Sequence, residues 1–417
     1  MRYLKLIIIL TSFLIHSSIY SQSWVVQTSG TSANLTDIYF INTNTGFACG
    51  AGGVIVKTTN SGLNWVTLNT GISSNLVKIK FFDINNGIAG GDKIIKTTNG
   101  GTNWSLVCDT AFANDIHFLD QNQWWICSSS PHTNKKTTNG GALWLSFNPT
   151  DVLQMCLFFI NSATGWITGK APVGSYVVQH INKTINGGLN WSWQYTGTLF
   201  NNGGWFYDLY FIDANTGFGA LTETGNNRMI KTTNSGANWF AVESTSFPTG
   251  IFFINPTNGW ASCNYGKIIK TADIGTTWAI EQTPVSSDLK SIYFISNETG
   301  WTCGAGGTIL KTTNGGITGL NNSSANIPAE YSLSQNYPNP FNPITKIKFS
   351  ISGKSVAQTF LSVYDVLGNE VAVIVNQNLK PGIYETDWDA SSYPSGVYFY
   401  KLQAGEFNET RKMVFLK

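Results

Sequence analysis

The chain has 417 residues, a formal net charge of +2, 12% charged residues and 13% aromatic residues. So sparse and balanced a charge excludes a nucleic-acid partner, which needs clustered Lys and Arg to displace counterions. The aromatic content excludes a disordered chain, and the length exceeds one ordinary domain unless a repeat is stacked.

The N-terminus is predicted to be a signal peptide over residues 1–21. Arg2 and Lys5 precede an apolar run at 6–15, and Ser21 offers a small residue before Gln22. That run is too short to span a bilayer. Export permits disulfides, but Cys49, Cys108, Cys127, Cys156, Cys263 and Cys303 show no CxxC pair and no zinc spacing. Cys49, Cys127 and Cys303 recur at one repeat position, too far apart to bridge, so buried free thiols are expected.

The dominant feature is internal self-similarity. The run Lys57-Thr58-Thr59-Asn60-Ser61-Gly62-Leu63-Asn64-Trp65 recurs from Lys96, Lys136, Lys183, Lys231, Lys270 and Lys311, with lysine spacings of 39, 40, 47, 48, 39 and 41 residues. Before each copy lies a Leu-x-x-Ile-x-Phe-like run, such as 35–41 or 289–295, and then a Gly-aromatic pair. Alternating apolar positions bounded by Gly and Asn predict four short strands per unit, the size of a propeller blade. The last copy lacks its Trp. Trp24-Val25-Val26-Gln27 reads as a fourth strand without its first three. It is expected to complete the seventh blade, because an open ring would leave strand edges unpaired.

The segment Thr-x-Asn-x-Gly-x-x-Trp is similar to the Asp-box (BNR-type) turn. The whole unit resembles the photosystem II stability/assembly-factor-like repeat over about residues 24–316. That resemblance implies a seven-bladed β-propeller over 22–316. It also raises an assembly-factor-like scaffold for a membrane protein complex as one alternative role. Photosynthetic members carry an arginine patch, whereas residues 22–316 contain only Arg228. Asp boxes also occur in sialidases, which need three arginines around a carboxylate, and in glucan hydrolases, which need two carboxylates across a cleft. The first is excluded. For the second, 15 acids face 15 bases in this region and nothing singles out a pair. Asp37, Asp115 and Asp208 occupy matching repeat positions, which assigns them a strand or turn role. His117, His132 and His180 lack metal spacing, and neither GxSxG nor a P-loop occurs. No catalytic residue, cofactor or metal is therefore assigned.

Most tryptophans belong to the repeat and are expected between blades; Trp124, Trp193 and Trp205 are left over. Repeat lengths give a second signal. Strand one to the motif lysine takes 23 residues in blade four (160 to 183) and 19 in blade five (212 to 231), against 14–17 in most blades. Trp191 to Ile212 takes 21. In a meander these insertions share one face, and they carry Lys170, Tyr176, Trp205, Tyr207 and Arg228 as candidate binding residues.

Composition shifts after Gly316. Residues 317–330 form a Gly, Asn and Ser linker, and strand-like runs over 331–417 predict a small Ig-like β-sandwich. The Tyr-Pro-Asn-Pro-Phe at 337–341, Val-Tyr-Asp-Val-Leu-Gly at 363–368 and Gly-Val-Tyr-Phe-Tyr at 396–400 resemble the type A C-terminal sorting domain of the type IX secretion system. So does the terminal run Lys412, Met413, Val414, Phe415, Leu416 and Lys417. This resemblance implies a bacterium of the Bacteroidota, contact with the secretion machinery through 331–417, and passage through the periplasm to the surface or medium. The expected fold is all-β, a seven-bladed propeller followed by the sandwich. The expected function is a monomeric, non-catalytic binding scaffold that meets a glycan or an envelope protein on the propeller face. A polysaccharide-degrading glycoside hydrolase is the other alternative.

Overall fold

The computed structural model describes residues 24–417 apart from 110, 129–133, 148–152, 174–175, 197–203, 224–225, 243–245, 282, 316–320, 323–327, 354–356, 380 and 391–392. The expected signal peptide lies outside the described residues. The chain forms two compact units, Ser23–Ile317 and one that includes Thr318–Lys417.

The first unit is seven four-stranded antiparallel sheets. Their first strands are Leu35–Phe40, Leu76–Phe81, Ala113–Phe118, Gln154–Phe159, Phe206–Phe211, Pro248–Phe253 and Leu289–Phe294, which number blades one to seven. Blade seven takes its outer strand from the N-terminal side: Val25, Val26 and Gln27 pair with Lys311, Leu310 and Ile309.

Each repeated residue type has a packing task. The phenylalanine ending a first strand lies across the glycine opening the second; a Cβ on Gly46 would sit 2.5 Å from the Phe40 ring. That ring then stacks on an aromatic of the preceding blade. Phe40 meets Trp301 at 3.5 Å between centroids, Phe211 meets Trp166 at 3.6 Å and Phe294 meets Trp260 at 3.6 Å. The motif lysine crosses to the next blade's turn, as Lys57 Nζ donates to the Gly100 carbonyl at 2.7 Å and Lys311 Nζ to Ser61 Oγ at 2.7 Å. The turn itself is held by Thr58 Oγ1, which accepts the Gly62 N–H at 2.9 Å, and by Asn60 Oδ1, which accepts the Asn64 N–H at 2.9 Å. These bonds recur in the following copies. The six cysteines are free thiols, five of them buried.

The second unit is a sandwich of two four-stranded sheets. Its terminal strand Phe407–Phe415 pairs with Gly396–Ala404 and buries Met413 and Phe415. Phe341 of the Tyr-Pro-Asn-Pro-Phe run stacks on Phe415 at 5.2 Å, and its N–H donates to the Val414 carbonyl at 3.0 Å. Buried Tyr400 ties that run down, its hydroxyl donating to the Ser334 carbonyl and accepting the Asn336 N–H, each at 2.8 Å. Lys412, Leu416 and Lys417 are exposed and Val414 is half-buried. One element departs from expectation. Asn321–Asn322, read as linker, adds an edge strand against Glu385 and Tyr384. Backbone pairing needs no apolar side chain, so the polar pair carried no strand signal.

Candidate functional site

The longer repeats of blades four and five are not irregular loops. They extend the hairpin between strands two and three. Gly165–Val173 pairs with Tyr176–Thr184, nine residues each, and Gly217–Glu223 pairs with Asn226–Thr232, seven residues each. Alternating side chains continue the ladder where other blades turn early.

The blade-five entry docks on these hairpins. The Trp205 carbonyl accepts the Thr222 N–H at 2.8 Å, and Gln179 Nε2 of the blade-four hairpin donates to the Thr222 carbonyl at 2.9 Å. Trp205 keeps 50% of its surface exposed, and Lys170, only 8% exposed, places its Nζ 4.1 Å from the centre of the indole. That distance makes a strong cation–π contact. Burial lowers the Lys170 pKa. Tyr207 is 41% exposed, and its hydroxyl accepts from Thr222 Oγ1 at 3.1 Å. Lys170, Trp205 and Tyr207 thus converge. Arg228 sits on the blade-five hairpin opposite Leu221. Tyr176 pairs through its backbone with Val173, and its side chain lies outside the described residues. Trp193, the third leftover tryptophan, stacks on His180 at 4.8 Å, while Trp124 is buried.

Trp205 and Tyr207 also border a cavity of about 600 Å³ lined by the first strands of all seven blades. Its wall carries Asp37, Lys78, Asp115 and Asp208, the same repeat position in blades one, two, three and five. The aspartates work between blades. Asp37 Oδ2 accepts the Ile79 N–H at 2.9 Å, Asp115 Oδ2 that of Leu157 at 3.0 Å, and Asp208 Oδ2 that of Ile251 at 2.6 Å. Ser291 Oγ donates to Asp37 Oδ1 at 2.7 Å, and Lys78 Nζ lies 3.6 Å from Asp115. Burial opposes the Lys78 ammonium, but Asp115, Asp37 and Asp208 outweigh it and hold its pKa well above the ordinary value. Burial pushes the Asp208 carboxyl up to about 6, with Lys78 pulling it back. Two positions further along, Tyr39, Phe158, Tyr210, Phe252 and Tyr293 join His117 and Lys80 on the cavity wall. Burial, then Lys80 and Lys78, push the His117 pKa down to about 3. The lysine at the wall was the residue missed; only its alignment with the aspartates could have found it. Among the described residues no group of three or more His, Cys, Asp or Glu is placed to hold a metal ion.

Residues 335–416 match the family described as the secretion system C-terminal sorting domain. This sorting domain directs the chain through type IX secretion to the cell surface or extracellular space. No curated protein sequence matches the chain. Similar solved structures include YCF48 bound to a D1 peptide, 18% identical over 71% of this chain and 99% of that one, with a TM-score of 0.55. The GH74 enzyme of Niastella koreensis is 12% identical over 93% of this chain and 67% of that one, with a TM-score of 0.55. PorZ, a surface component of the type IX secretion system of Porphyromonas gingivalis, is 13% identical over 90% of this chain and 59% of that one, with a TM-score of 0.50. At these identities the likeness is one of fold.

Proposed function

We propose that this exported propeller is a non-catalytic binding scaffold, and that its ligand is a glycan received at the mouth of the central cavity. The carrying observation is Trp205. Half its indole faces solvent, its position is fixed by the Thr222 bond, and Lys170 lies against the ring with Tyr207 beside it. A rigid aromatic face flanked by hydroxyl, amide and ammonium groups suits a sugar, whose C–H face stacks while its hydroxyls hydrogen-bond.

A hydrolytic reading has one observation in its favour: Asp208, with its pKa near 6, borders the same cavity. Its two oxygens, however, accept the Leu209 and Ile251 N–H groups. These bonds favour a fixed carboxylate over a proton donor. The two readings separate on polysaccharides incubated with the purified exported protein. The scaffold reading expects retention on the polymer without release of new reducing ends. Release that disappears in Asp208→Asn establishes the hydrolase instead.

A further inference from the structure

The residue just before each first strand holds one repeat position around the propeller, and at that position Trp205 borders the cavity. In six blades the carbonyl of this residue accepts an N–H from the strand two side of the same blade, at the turn in blades one, two, six and seven and within the extended hairpin in blades four and five. Asn34 accepts from Ala51 at 2.9 Å, Asn75 from Asp92 at 3.0 Å and Asp288 from Ala305 at 2.8 Å. Leu153 accepts from Lys170 at 3.0 Å, Trp205 from Thr222 at 2.8 Å and Phe247 from Asn264 at 2.9 Å. Phe112 precedes the remaining first strand.

Around this ring the chemistry divides in two. In blades one, two and seven the side chain is polar and caps the preceding blade's turn. Gly306 N–H donates to Asn34 Oδ1 at 2.9 Å, Gly52 N–H to Asn75 Oδ1 at 3.1 Å and Tyr265 N–H to Asp288 Oδ1 at 3.1 Å. In blades three to six the position is apolar. Phe112 is 40%, Trp205 50% and Phe247 36% exposed, with Leu153 half-buried between the first two. Four consecutive blades therefore replace a turn cap with surface for contact.

One of these aromatics, and a tyrosine in the blade-six turn beside another, are held in costly backbone. Phe112 has φ 44°, and Tyr265, 62% exposed and edge-on to Phe247 at 5.5 Å, has φ 58°. Blades one and seven place Gly52 and Gly306 where Tyr265 stands. A bulky residue in the left-handed region is strained, and folding gains nothing from exposing it.

Building on the glycan-binding reading, we infer that this arc of Phe112, Leu153, Trp205, Phe247 and Tyr265 is a row of subsites for a polysaccharide chain, not for a single terminal sugar. Polar groups interleave with the aromatics: Lys170 and Tyr207 beside Trp205, and Asn264 with Lys290 beside Tyr265, where Lys290 Nζ donates to Asn264 Oδ1 at 3.3 Å. A polysaccharide presents apolar ring faces and hydroxyls in alternation, which matches such a row. A helical peptide or a lipid would need an uninterrupted apolar groove.

The test is affinity against chain length, with dimer-to-octamer series from xylan, β-mannan, β-glucan and alginate offered to the full exported protein. Affinity is expected to rise at least tenfold between dimer and hexamer in one series. Phe247→Asn and Tyr265→Gly, which install the Asn of blades one and two and the Gly of blades one and seven, should keep or raise the melting temperature. Both should remove most of that rise while leaving dimer binding within twofold. Length-independent binding that is lost in Trp205→Ala overturns the arc and leaves the single-site reading standing. Absence of binding in every series overturns both.

Discussion

Trp24 stands edge-on to Phe294, ring centres 5.8 Å apart and planes at 90°, as Trp65 stands to Phe40 and Trp278 to Phe253. A residue from the N-terminal side of the propeller thus takes the place of the tryptophan missing from the last repeat.

This contact is load-sharing across the closing seam, since Trp24 is fully buried. Trp24→Ala is expected to cost about 3–5 kcal/mol. Removing Val25–Gln27 as well would bare the edge of Ile309–Thr312 and promote aggregation. Thermal melts and size-exclusion profiles check this; an unchanged melting temperature and elution would contradict the closure.

The cavity wall predicts a charge effect. Lys78→Met leaves Asp37, Asp115 and Asp208 without their shared cation. The variant should lose about 1–3 kcal/mol at pH 7.5, a value set by partial solvent access. With Lys78 gone these carboxyls rise further, so the deficit shrinks as pH falls and they take up protons. Melting curves from pH 7.5 to 5 measure it; a deficit that grows on acidification would contradict the assignment.

His117 supplies the opposite pH slope. Its folded pKa of about 3 lies below the ordinary 6.5, so the unfolded chain binds the proton first as pH falls. Stability from this group is complete above about pH 6.5 and is lost between 6.5 and 3. His117→Phe, the residue found at Phe158 and Phe252 on the same wall, should remove about 1 kcal/mol of the loss between pH 7.5 and 5.5. Denaturant melts at the two pH values test it, and identical pH slopes would sink it.

In the sandwich, Phe415 is buried against Phe341. Phe415→Ala should disrupt the terminal strand and reduce surface display, and removing residues 335–417 should leave a folded propeller in the periplasm. Fractionation of cells and medium is the measurement; normal display of the truncated chain would contradict the sorting role.

Much of this architecture was legible because the repeat writes it seven times. Lysine, glycine and tryptophan recur for inter-blade contacts, and recurrence is visible without coordinates. Asp37, Asp115 and Asp208 were legible as strand residues for the same reason, and each indeed grips a neighbouring strand. The rim was harder to read. Phe112 and Phe247 vary where Asn34 and Asn75 stand, and an apolar residue before a strand reads as strand. The Phe247 carbonyl bond and the position of Phe112 directly before a first strand place them in one ring. Lys170 near Trp205 was found through insertion length, although the two insertions between strands two and three proved to be hairpin rather than loop, and the third, between Trp191 and Ile212, lies partly outside the described residues.

The central claim rests on Trp205, and its most direct test is equilibrium binding of the exported protein and Trp205→Ala to polysaccharides and envelope glycans, with reducing ends assayed in the same samples. The account predicts at least tenfold weaker binding in the variant, with an unchanged melting temperature and no new reducing ends in either sample. Equal binding by both proteins, or product released by the wild type, would contradict it.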